Sequence, residues 1–244
     1  MKFNYILFRI KRKIIKIILS PLKLVSPHTY TSAFRFVTGY NNQLDALVKL
    51  NTSRINDLCQ TSHKRLFVDC GVNEGFVLSR YIGELKNFRF TGFEIQSELI
   101  PVAQQKNPSA QIHHAAVSAQ NGQSEIYLPK GYGTNYRGGA STIRKKVSDK
   151  KLHERRFVTS IKLSEYLRAQ KLDEKFDFIA VKMDIEGAEY GIIDDLYNLW
   201  TSKSETLIDY LIIEFHPSVL DDKHQHELCL KKLDKMGLEF STWI

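Results

Sequence analysis

The sequence predicts an α/β protein built on a doubly wound, mostly parallel sheet. From residue 65 onward, short apolar runs of the kind that form buried strands alternate with segments patterned at helical spacing. Glycines and ionisable residues gather immediately after those runs, where ligands bind in open α/β sheets. A chain of 244 residues, 43% hydrophobic and 25% charged, is long enough for one large domain with an appendage.

In chain order, the expected strands are RLFVDC (65–70), FRFTGFE (88–94), AQIHHAAV (110–117), FDFIAVKMD (176–184) and LIDYLIIEF (207–215). GFVLSRYIGELK and SELIPVAQQKN separate the first three at crossover length, which calls for parallel strands and right-handed connections. Ahead of them, LDALVKLNTSRINDLCQ carries apolar residues at helical spacing and reads as one or two cap helices over 45–65. The main domain then spans 66–244, with an insertion at about 124–163 whose ends, SEIYL and FVTSIKL, pair as an antiparallel element. Its centre, GYGTNYRGGAST, reads as a mobile lid in which Tyr132, Asn135 and Arg137 offer stacking and hydrogen bonds to a substrate.

Residues 1–44 form a basic amphipathic segment. Eight basic residues from Lys2 to Arg35 precede the first acid, Asp45, so the net charge of +8 belongs to this segment and the rest of the chain is balanced. A basic nucleic-acid face on the main domain is therefore not expected. On a helical projection Phe3, Leu7, Ile10, Ile14, Ile17 and Ile18 share one face and Lys2, Arg9, Arg12, Lys13 and Lys16 the other. Its apolar runs are too short and too interrupted by charge for a transmembrane span or a signal peptide. The pattern predicts that residues 1–24 dock on an anionic membrane surface. Three widely spaced cysteines without C-x-x-C pairing suit a reducing compartment, so the expected location is cytoplasmic, peripheral at the inner face of the membrane.

Two strand ends draw attention first. The loop DCGVNEG (69–75) contains Gly71 and Gly75, which let the backbone turn tightly and approach a ligand, and Glu94 closes the second strand where it can accept hydrogen bonds from a ribose. VKMDIEGAEY (181–190) places Lys182, Asp184, Glu186 and Glu189 at the end of the fourth strand, and LIIEFHP (211–217) adds Glu214 and His216 one strand over. The pair His113–His114 reads as structural, and His224 and His226, two apart on a helix, diverge.

DCGVNEG, FEIQ, AAVSAQNGQSEIYL, VKMDIEGAE and LIIEFHP, in this order and spacing, resemble the FkbM family of S-adenosylmethionine-dependent methyltransferases over about residues 66–237. The resemblance implies a Rossmann-like class I methyltransferase fold. It also implies that Asp69, Gly71, Asn73 and Gly75 surround the methionine end of the cofactor, that Glu94 holds the ribose, and that Ala116 and Val117 lie beside the adenine. Glu74 departs from the family's usual apolar residue and is expected to face solvent. The last antiparallel strand common in methyltransferase sheets is expected to be missing or supplied elsewhere.

In methyl transfer the catalytic work is alignment and removal of the acceptor's proton. Asp184 is the first candidate for general base or metal ligand, and Lys182 pairs with it or polarises the acceptor. His216 has an intrinsic pKa suited to proton transfer, with a hydrogen-bonded structural histidine as the alternative. Glu186 and Glu189 orient substrate or anchor the next helix. Asp184 and Glu214 would hold Mg²⁺ if a metal takes part. The expected activity is O-methylation of a sugar hydroxyl on a cell-surface glycan or its lipid-linked precursor. The alternatives are an inactive cofactor-binding module tethered at the membrane, or methylation of another small polar metabolite.

Overall fold

The computed structural model describes residues 40–129, 140–144, 152–222 and 224–242. The helix expected over residues 1–24, and Tyr132, Asn135 and Arg137, lie outside the described residues. The elements run α1 (Tyr40–Leu58), β1 (Arg65–Cys70), α2 (Phe76–Glu84), β2 (Phe88–Glu94), α3 (Ile100–Lys106), β3 (Ala110–His114), β4 (Ala116–Ser118), β5 (Gly122–Pro129) and β6 (Leu152–Lys162). They continue with α4 (Leu163–Leu172), β7 (Phe178–Met183), α5 (Glu189–Lys203), β8 (Tyr210–Ile213), α6 (His224–Lys235) and β9 (Phe240–Thr242).

Six strands form one sheet in the order β3-β2-β1-β7-β8-β9, and all its pairings are parallel. The strand order reverses between β1 and β7, which opens a crevice at the carboxyl ends of these strands. β1 and β7 are buried on both faces, which is why RLFVDC and FIAVKM are nearly continuous apolar runs. Alternate residues feed two cores. Phe67, Ala180 and Ile212 pack under α1 and α2 against Val48, Ile55, Leu78 and Tyr81. Leu66, Val68, Val181 and Leu211 pack against Leu163, Leu167, Ile192, Ile193 and Leu233 on the other face. A buried hydrogen-bond network fixes α1: Asn51 Oδ1 accepts from Tyr210 Oη (2.9 Å) and Ser241 Oγ (2.6 Å), while Asn51 Nδ2 donates to Tyr81 Oη (3.3 Å).

The structure departs from expectation in several places, each with a local cause. The run 110–117 is two strands, because the chain leaves β2 at Ala115, whose amide still reaches Glu94 O, and Ala116 pairs with Ser160 of β6 instead. β4, β6 and β5 then make a second sheet, with SEIYL and FVTSIKL antiparallel as expected. Of the one or two cap helices expected, the described residues hold one, α1, which runs unbroken over Tyr40–Leu58. The short strand β9 was not anticipated; it lies parallel to β8, and among the described residues the six-stranded sheet has no antiparallel strand. No helix among the described residues is long and apolar enough to cross a membrane.

Candidate active site

The loop after β1 is shaped by close approach. Gly71 (φ +89°) donates its amide to Phe93 O at 3.0 Å, and a Cβ there would lie 2.0 Å from the Asp184 carbonyl oxygen. Gly75 (φ +76°) is equally constrained on the outer side, where a Cβ would meet Asn107 Nδ2 at 2.3 Å. Between them the Asn73 amide donates to Glu94 Oε2 at 2.7 Å, and the Gln96 amide donates to Oε1 at 3.0 Å. Glu94 is buried, and burial raises its pKa while the Gln96 and Asn73 amides pull it down.

Above this loop lies a cleft of about 600 Å³ counting its open mouth, lined on one side by Gly71, Asn73, Glu94, Ala116 and Val117 and on the other by Asp184, Ile185 and Glu186. Five of the seven residues expected around a cofactor therefore line one cleft; Asp69, paired with Lys182, and Gly75, held by Asn107, do not. Gln96, Ala140 and Thr142 also line it and were not anticipated. Ala140 to Thr142 end the stretch read as a mobile lid, yet here the chain is pinned. Ser141 exchanges backbone hydrogen bonds with Tyr127 (2.8 and 3.2 Å), and its hydroxyl donates to Glu186 O at 2.7 Å.

Beneath the cleft, parallel register sets Lys182 beside Asp69. Lys182 Nζ stands 3.1 Å from Asp69 Oδ1 and 3.8 Å from Asp184 Oδ2, and donates to Gly71 O at 3.2 Å. Its side chain is 3% exposed and Asp69 is fully buried, so Lys182 sits beneath the loop and does not line the cleft. Neither Asp69 oxygen has an aligned hydrogen bond from any other described residue, so Lys182 is what holds this carboxylate in the sheet. Burial raises the pKa of Asp69 against the pull of Lys182; burial also disfavours the ammonium, but Asp69 and Asp184 outweigh it and hold the lysine charged.

The second group converges on His216. Its Nδ1 lies 2.8 Å from Glu189 Oε1, and its Nε2 lies 3.3 Å from Glu186 Oε2, 3.8 Å from Glu214 Oε1 and 3.9 Å from Asp184 Oδ1. The expected pair Asp184 and Glu214 thus meets at one imidazole nitrogen. Ligand atoms of Asp184, Glu186 and His216 lie within 4.8 Å of one another, close enough to compete for one proton or one cation. His224 and His226 are elsewhere, bonded to Glu227 and Tyr190, and His113 stacks on Phe93.

Burial first, then Asp184, push Glu214 up to about 7, with Glu186 adding and His216 and Lys182 opposing. An unfolded glutamate titrates near ~4.3, so between that pH and about 7 the native state binds more protons than the unfolded one. The contribution of Glu214 is therefore greatest below the unfolded pKa and is lost as pH rises to about 7. Calorimetric melting across this window should show Glu214→Gln gaining on wild type, by on the order of 2 kcal/mol at the alkaline end. Parallel stability–pH curves for the two proteins would contradict this.

Proton-accepting side chains set across a switch-point cleft from a glycine loop suit the transfer of a methyl group, and the protein falls in the class of S-adenosylmethionine-dependent methyltransferases. It belongs to the methyltransferase FkbM family, whose model matches residues 69–240. No curated protein matches the chain. Among solved structures, the plantazolicin methyltransferase BpumL, in complex with a triazolic desmethylPZN analog and SAH, is 12% identical over 98% of this chain and 73% of that one, with a TM-score of 0.31. The 1,6-didemethyltoxoflavin-N1-methyltransferase of Burkholderia thailandensis, with 1,6-didemethyltoxoflavin and S-adenosylhomocysteine bound, is 14% identical over 60% and 78% of the two chains, with a TM-score of 0.20. At these scores neither neighbour bears on the site.

Proposed function

We propose that the protein methylates a saccharide hydroxyl, on a cell-surface glycan or its lipid-linked precursor, while residues 1–24 hold it at an anionic membrane. The observation that carries this reading is the polarity of the cleft. One end presents the Gly71 cradle and Glu94, and the other presents the carboxylates of Asp184 and Glu186 backed by Glu214 and His216. S-adenosylmethionine, when bound, supplies an electrophilic methyl group on a sulfonium. The chain's residues fit it: Gly71 and Asn73 border the cleft, the buried Glu94 carboxylate beside them suits ribose hydroxyls, and Ala116 and Val117 give an apolar seat for adenine. Asp69, Gly75 and Lys182 brace this loop from behind. On the acceptor side, half-buried carboxylates accept hydrogen bonds from neighbouring hydroxyls of a polyol and leave the cluster around His216 to take the proton.

Calorimetric titration with S-adenosylhomocysteine tests the cofactor half. Wild type should bind in the micromolar range (roughly −8 kcal/mol) and Glu94→Gln about tenfold more weakly; no binding to wild type would overturn the reading. Labelled methyl from S-adenosylmethionine should then enter the saccharide fraction of membranes. Asp184→Ala should abolish that transfer and leave cofactor affinity intact, whereas label confined to non-saccharide metabolites would exclude the glycan acceptor. For the membrane half, the full chain should sediment with phosphatidylglycerol-containing vesicles and a variant lacking residues 1–24 should not. Equal partition of the two forms would exclude membrane docking.

A further inference from the structure

Glu189 is the last acid of the VKMDIEGAE segment, and its placement differs from that of its neighbours. Asp184 and Glu186 border the cleft and are about a quarter exposed, whereas Glu189 is fully buried at the start of α5. One oxygen, Oε1, meets His216 Nδ1 at 2.8 Å and also accepts the Ile185 amide at 3.2 Å. The other, Oε2, is buried without a hydrogen-bond partner among the described residues. A buried carboxylate is costly to keep, and this one spends its best contact on a single imidazole nitrogen. The opposite nitrogen, Nε2, faces Glu186, Glu214 and Asp184, of which Glu186 and Asp184 line the cleft.

We infer that Glu189 is a positioning residue that fixes the proton of His216 on Nδ1 and so presents Nε2 to the acceptor as the general base; this rests on the methyltransferase reading above. An ionised carboxylate accepts from an N–H and cannot donate; the fully buried Glu189 lies within hydrogen-bond distance of Nδ1 at 2.8 Å, whereas the carboxylates at Nε2 stand 3.3 Å or farther and are partly exposed, so Nδ1 carries the proton and Nε2 the lone pair. As the acceptor oxygen bonds to the methyl carbon and the carbon–sulfur bond breaks, the acceptor's O–H proton passes to Nε2, and neutral S-adenosylhomocysteine leaves. The imidazolium so formed is stabilised by Glu189 on one side and by Asp184, Glu186 and Glu214 on the other. The proton then leaves through these carboxylates to solvent. Left to itself, Nε2 would be the protonated nitrogen, because three carboxylates face it as acceptors; Glu189 reverses that preference.

The test reads the tautomer directly and needs no acceptor. Long-range ¹H–¹⁵N spectra of histidine-labelled, S-adenosylhomocysteine-saturated protein, recorded near pH 9 and assigned with His216→Gln, should show His216 with a protonated Nδ1 and an unprotonated Nε2. In Glu189→Met the proton should move to Nε2. In Glu189→Gln, which keeps the shape and one acceptor and guards against misfolding of the first variant, the Nδ1-protonated fraction should fall below that of wild type. Binding of S-adenosylhomocysteine by both variants, within about threefold of wild type, shows the fold intact and separates this test from that of the cofactor reading. The same tautomer in all three proteins would reduce Glu189 to an anchor of α5 and overturn the inference. So would an imidazolium persisting at pH 9 in wild type, or Mn²⁺ broadening of the His216 signals that marks the ring as a metal ligand.

Discussion

Lys182→Met should cost the protein about 3–5 kcal/mol of stability, the range for removing one partner of a buried ion pair. The methionine fills nearly the same space, so packing changes little. What is lost is the charge 3.1 Å from Asp69, a carboxylate with no solvent exposure and no aligned hydrogen bond from any other described residue. Asp69 must then take up a proton or carry an uncompensated charge in the sheet. Urea denaturation should show the loss as a lower midpoint at unchanged slope. Adding Asp69→Asn to Lys182→Met should recover most of it, since removing both charges costs far less than stranding one. A single variant within 1 kcal/mol of wild type would mean that the pair is dispensable to the fold.

That pair marks the boundary of what the sequence reveals. Asp69 and Lys182 were each conspicuous as ionisable residues in otherwise apolar strands, but their partnership depends on the register between β1 and β7, and nothing in a separation of 113 positions encodes it. Lys182 consequently read as a partner of Asp184, two residues away, when its shorter contact is across the sheet. Strands buried on both faces announce themselves as apolar runs, so β1, β2 and β7 were legible nearly to their ends. The break at Ala115 was not, because an apolar run stays apolar when it changes partners. β9 is only three residues long, too short for a period to show. Glu94 and Asp184 stood out in the sequence because ligands bind at strand ends in such sheets, and both line the cleft. Ala140 and Thr142 were missed because a polar, glycine-rich stretch looks mobile until a bond such as Ser141 to Glu186 O fastens it. Glu189 was visible as a charge, but its partner lies 27 positions away on the loop after β8.

Gly71→Ala should be the more damaging change to function, with S-adenosylhomocysteine affinity falling by at least about a hundredfold and stability by about 2–4 kcal/mol. Two constraints meet at this position. The backbone is left-handed (φ +89°), and a Cβ would sit 2.0 Å from Asp184 O and 3.0 Å from Asp184 C. Neither side can yield cheaply: the Asp184 amide donates to Cys70 O at 3.0 Å, and Gly71 itself donates to Phe93 O at the same distance. The added methyl must push the loop off the end of β7, which pulls the Asn73 amide from Glu94 and tilts the Gly71 carbonyl away from Lys182. Cofactor loop and acceptor loop are therefore one mechanical unit, joined where their backbones touch. Gly83→Ala is the matched control, since a Cβ there meets nothing within 4 Å and the residue lies within α2. It should leave binding unchanged and add up to about 1 kcal/mol of stability. If Gly71→Ala binds S-adenosylhomocysteine within threefold of wild type, the close approach of the two loops is not what shapes the cleft.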